Sequence, residues 1–114
     1  MRWNLHGVVV EGVATHDVLR RRWSAAFAAC RRTVTPPEIR VRLDPTACVP
    51  PPPALEPVLT QGDVLRYYAD APRVVAHFPR FGVLHLDPDH ATTSGQLTPP
   101  SWEASGVLED ILAV

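Results

Sequence analysis

His77, His85 and Asp87 are the residues of this 114-residue chain whose types and spacing could do chemistry. His85 and Asp87 stand two apart in the extended run Phe81-Gly82-Val83-Leu84-His85-Leu86-Asp87, so a strand period of two puts both on one face. If Arg80-Phe81-Gly82 form a three-residue loop with Gly82 left-handed, Pro79 faces Val83 and His77 faces His85 across the ladder. Two imidazoles and a carboxylate gathered in this way could bind zinc or iron, or act as an acid and base pair. A two-residue loop would move His77 out of line, and a flat sheet face lacks the enclosing pocket that a catalytic metal needs. A solvated, half-exposed sheet face accounts for the same three side chains and is the preferred reading, with the metal module or metal-dependent enzyme as the alternative.

Other reactive groups are scattered. His6, His16 and His90 flank predicted elements and read as structural or surface histidines. Ser24, Ser94, Ser101 and Ser105 lie outside any Gly-x-Ser-x-Gly elbow. Phosphate-cradling glycine loops are missing, and the chain has no lysine, so no Schiff base or phosphate-loop ammonium can form. Cys30 and Cys48 have neither zinc-ligand spacing nor the number that a disulfide framework requires. No cofactor is expected. Arg20, Arg21, Arg22, Arg31 and Arg32 could form an anion or RNA patch, but no aromatic residues are interleaved for base stacking. A solvated helix face with cations near its carboxyl end explains them better, and nucleic acid is not an expected partner.

The elements that must position these groups can be read from periodicity. Asp63–Ala69, Arg73–Phe78 and Phe81–Asp87 are alternating runs rich in β-branched and aromatic residues, joined by turn residues, and predict a three-stranded antiparallel meander. Upstream, Leu5–Gly12 reads as a strand with a turn over Gly12 to Thr15. A helix follows from a Thr15 cap to about Arg32, with Val18, Leu19, Trp23, Ala26, Phe27 and Cys30 on one apolar stripe. Glu38–Asp44 alternates cleanly, and strand, helix and strand in this order predict a βαβ half. Residues 49–57, with four consecutive prolines, are a stiff connector between that half and the meander; a ligand for a polyproline-binding groove is the alternative. Pro88–Thr98 is polar and turn-rich and reads as a loop. Ser101 then caps a terminal helix whose apolar face is Ala104, Val107, Leu108, Ile111 and Leu112. No glycine, proline or basic residue closes this helix, so its end either docks into the core or continues in a longer protein.

With 46% hydrophobic and 20% charged residues, 1–114 reads as one globular domain, and a formal net charge of -1 offers no field for phosphates. The expected class is α+β: a mixed sheet made from a βαβ half and a three-stranded meander, with two helices on one face. No signal peptide or membrane-spanning run is evident, and reduced thiols suit a cytoplasmic protein.

Leu84-His85-Leu86-Asp87, the polar loop after it and Val107–Val114 resemble the region just upstream of the kinase core in HPr serine kinase-like proteins. Leu5–Val10 and Glu38–Asp44 also resemble the amino-terminal portion of such proteins. The resemblance implies an amino-terminal accessory domain packed against or tethered to a kinase-like partner. It places the nucleotide site after Val114, so it assigns no catalytic residue here. The expected function is a non-enzymatic interaction or regulatory domain, with Leu108, Ile111, Leu112 and Val114 meeting a kinase-like domain or a second copy of the chain.

Overall fold

The computed structural model describes residues 2–5, 7–27, 31–33, 36–103 and 111. Among them the chain forms one nine-stranded mixed sheet and one full helix. In chain order the elements are β1 (Arg2–Leu5), β2 (Val8–Ala14), α1 (Asp17–Ala26), β3 (Arg31–Arg32) and β4 (Ile39–Pro45). They continue with β5 (Leu59–Gln61), β6 (Leu65–Asp70), β7 (Arg73–Phe78), β8 (Gly82–Asp87), β9 (Thr92–Leu97) and the short α2 (Pro100–Glu103). Across the sheet the order is β3-β1-β2-β4-β9-β8-β7-β6-β5. β4 pairs in parallel with β2 and β9, and the other neighbours are antiparallel.

This corrects the expected α+β class with two helices on one face: among the described residues the protein is mostly sheet, with α1 as its one full helix and α2 a single turn. Three features account for the difference. First, α1 stops at Ala26, and Arg31 and Arg32 pair with Asn4 and Trp3 as an edge strand instead of extending the helix. Second, the polar stretch Thr92–Leu97 is a strand, because β4 on one side and β8 on the other satisfy its backbone and override the weak propensity of Thr-Thr-Ser-Gly-Gln. Third, the predicted terminal helix is described only at Pro100–Glu103 and at Ile111; Leu108, Leu112 and Val114 lie outside the described residues. Ser101, expected as its cap, sits inside α2 and is fully buried.

The helix start is also one residue later than expected. His16 takes the cap, its Nδ1 accepting from Leu19 N–H at 3.4 Å, while the Thr15 hydroxyl donates to Asp44 Oδ1 at 3.1 Å. Gly12, expected in a turn, lies inside β2, where a Cβ would come within 2.7 Å of the Trp23 ring and 2.8 Å of Trp3. The glycine is a slot for two indoles. Their rings lie 5.9 Å apart, and Phe27 meets Trp3 edge-on at 5.1 Å.

One face of the sheet carries the core: Trp3, Ala14, Leu43, Leu97, Leu84, Ala76, Phe78 and Leu65, covered by Leu19 and Trp23 of α1 and by Ile111. The alternate residues of the same strands form the opposite, polar face.

A polar sheet face and an open apolar edge

Strand period and register bring the sequence candidates to the polar face. The β7–β8 hairpin closes one residue earlier than expected, with Phe78 opposite Gly82, so its loop is Pro79-Arg80-Phe81. His77 therefore faces Val83, and His85 faces Val75. The two histidines remain on one face as diagonal neighbours and are not a directly opposed pair.

The proline-rich segment engages one of them. It must cross from central β4 to the outermost strand β5, and it does so over the polar face, where His77 Nε2 lies 2.9 Å from the Pro50 carbonyl. A carbonyl only accepts, so Nε2 carries the proton and is not available to a metal. Tyr68, Val75 and Val83, beside His77, are buried in a small second core on this side of the sheet. The connector of 49–57 is thus a strap fastened to this face at Pro50.

Beyond the strap the face is open. His85 lies opposite Ser94, and Asp87 opposite Thr92. A shallow cavity of about 240 Å³ is lined by Arg73, His85, Asp87, Thr92 and Ser94; a second of about 270 Å³ is lined by Asp44, His85, Ser94, Gly95 and Gln96. Partial burial and then the nearby Arg73 guanidinium lower the His85 pKa, favouring the neutral ring, against the opposing pull of Asp70. At Asp87 burial acts upward, but the side-chain and backbone hydrogen bonds of His90 outweigh it and hold the carboxyl below its ordinary value. His90 Nδ1 is 2.9 Å from Asp87 Oδ2. Among the described residues no three His, Cys, Asp or Glu side chains are grouped as a metal ion would require. His77, His85 and Asp87 thus share a face, while His77 binds the strap and Asp87 binds His90.

Further along the same face, Arg2 Nε donates to Glu11 Oε2 at 2.8 Å and Arg40 lies 3.7 Å from Oε1. The Arg2 hydrogen bond, against partial desolvation, lowers the Glu11 pKa. Asp44 accepts from Arg42 at 3.0 Å and from Thr15. The arginines expected as a helix-borne anion patch are dispersed: Arg20 pairs with Asp17, and Arg32 lies over the Trp3 ring at 5.9 Å.

Two apolar surfaces remain. An open groove of about 400 Å³ on the core face is lined by Ile39, Val74, Leu86, Pro88, Ala91 and Thr93. The other is the β5 edge, where Leu55, Val58, Leu59 and Val64 are 48%, 65%, 53% and 64% exposed. Sequence reading ended the connector at Pro57 and began the meander at Asp63, so this strand was missed; Val58-Leu59-Thr60 between Pro57 and Gly62 was the available signal. Ile111, expected on an interaction surface, is 2% exposed and belongs to the core. No helix among the described residues is long and apolar enough to cross a membrane. No protein-family model, curated protein or solved structure matches the chain.

Proposed function

We propose that this chain is a non-enzymatic interaction domain that binds through the open β5 side of its sheet. The observation that carries the reading is the clustering of Leu55, Val58, Leu59 and Val64, all about half exposed or more, within ten residues around an outermost strand. Exposed apolar side chains along an outermost strand stabilise a complex by apolar burial and main-chain hydrogen bonding together. The polar face supports the same reading from the other side. On it His77 holds the strap, Asp87 holds His90 and Glu11 holds Arg2, and its two small cavities are half open.

The resemblance to the amino-terminal region of HPr kinase-like proteins suggests a kinase-like catalytic domain as partner. Titration calorimetry of the purified chain against such a domain tests this. Binding by the native protein, weakened by Val64→Asp and unaffected by His85→Gln, is the expected result. Equal loss with His85→Gln would move the interface to the polar face, and an absence of heat at every concentration would remove the kinase-like partner.

A further inference from the structure

We infer that the proline strap presents its outward edges, at Pro51 and Pro52, to a partner domain whose aromatic-lined groove reads polyproline helices. This goes beyond the β5 reading above, because it uses another surface and another class of partner.

Covalent geometry fixes the shape of this segment before any packing is counted. Proline locks φ at about −65°, and a residue that precedes proline is held out of the helical region. Pro50, Pro51 and Pro52 obey both limits, and the peptide bonds leading into Pro50–Pro53 are trans. The run is therefore a left-handed polyproline helix of about three residues per turn, without internal hydrogen bonds. Residues 49–53 accordingly belong to no helix or strand. That period puts Pro50 and Pro53 on one edge and Pro51 and Pro52 on the other two. Burial follows it: Pro50 and Pro53 are half-buried, whereas Pro51 and Pro52 are exposed. Pro50 is also the residue whose carbonyl His77 Nε2 engages at 2.9 Å, so the inward edge is the fastened one.

Joining β4 to β5 requires length and an attachment, which Pro50 and Pro53 supply. It does not require an apolar outer surface, yet Pro51, Pro52, Ala54 and Leu55 are all exposed, and Glu56 is the one charged side chain between Thr46 and Val58. The chemistry of that surface selects the partner. Four successive residues without an N–H cannot add to a sheet edge, which excludes strand pairing as the mode of recognition. Pyrrolidine rings on a preformed, donor-free helix are what aromatic-lined grooves take up. The pair at Pro-x-x-Pro spacing, Pro50 and Pro53, is turned to the sheet, so the groove reads the consecutive prolines of the outer edges. Binding also orders little new chain, because β4 and β5 hold the two ends and His77 holds Pro50.

The test is NMR titration of the full, nitrogen-labelled chain with a panel of purified WW and SH3 domains, followed by competition with a soluble polyproline peptide. Amide shifts at Val49, Ala54 and Leu55, reversed by the peptide and little changed by added salt, are the expected result. Pro51→Ala with Pro52→Ala, at exposed positions and with an unchanged circular dichroism spectrum, should weaken binding by about tenfold or more through lost ring contact and lost stiffness. Val64→Asp should leave this binding unchanged, so its failure and that of the β5 reading are separable. Shifts absent with every domain of the panel at millimolar concentration, or binding indifferent to the double substitution, overturn the inference. A gain of about tenfold with His77→Ala, which frees the inward edge, would assign recognition to Pro50 and Pro53 and overturn it as well.

Discussion

Single residues decide how tightly the layers can close. Gly12 sits where Trp3 and Trp23, both essentially inaccessible, cross the sheet, and neither ring has room to retreat. Gly12→Ala therefore overpacks the core and should cost about 1–3 kcal/mol, measured as a lowered urea midpoint with an unchanged slope. Gly82 has a different constraint: its φ is +150°, and a Cβ there would strike the Gln96 carbonyl of the neighbouring strand. Ser101 presents the opposite case, a fully buried hydroxyl with no hydrogen-bond partner among the described residues. Replacing it with alanine removes an unsatisfied group, so Ser101→Ala should be neutral or stabilising by up to about 1 kcal/mol in the same denaturation measurement. A clear destabilisation would show that the hydroxyl has a partner.

At the scale of elements, the strap over the polar face depends on one anchored histidine. His77→Ala deletes the donor to the Pro50 carbonyl and leaves that acceptor and the second core exposed to opening, at a cost of about 1–3 kcal/mol. Nitration provides a local readout, since Tyr68 is nearly inaccessible and its neighbour Tyr67 packs on the other face. Nitration should rise at Tyr68 and change little at Tyr67; equal reactivity in native and variant proteins would show that the strap holds without His77. The meander segments and the alternating Ile39–Leu43 were legible because a period of two survives whenever one face is apolar. β9 was not, because its core-facing positions are Thr93, Gly95 and Leu97, and the middle one is a glycine that admits Leu43 and Leu84. β3 and β5 are edges of two and three residues, too short to show any period. The candidate site was legible as a face, since His85 and Asp87 had to share one, but not as a neighbourhood. Ser94, Thr92 and Asp44 join His85 only through pairing between distant strands.

For the whole molecule, proton uptake ties stability to pH in one direction. Partial burial and the Arg73 charge depress the His85 pKa, with Asp70 opposing, so between its folded value and the unfolded value of about 6.5 the unfolded chain binds more protons than the native one. Stability therefore falls as pH drops through that window. Glu11, held ionised by Arg2, and Asp87, held by His90, act with the same sign further into acid: their contributions are present above the ordinary carboxylate range and are lost as pH falls through their lowered folded values. His85→Gln should flatten the upper part of the curve and leave the carboxylate part unchanged, whereas Glu11→Gln should do the reverse. Urea midpoints of the native protein and both variants, collected from neutral pH to about pH 4 and compared with the reference ionisation ranges, separate the two contributions. Parallel curves for the native protein and His85→Gln through the upper window would show that His85 titrates alike in both states, and the open half of the polar face would then be as wet at its centre as at its rim.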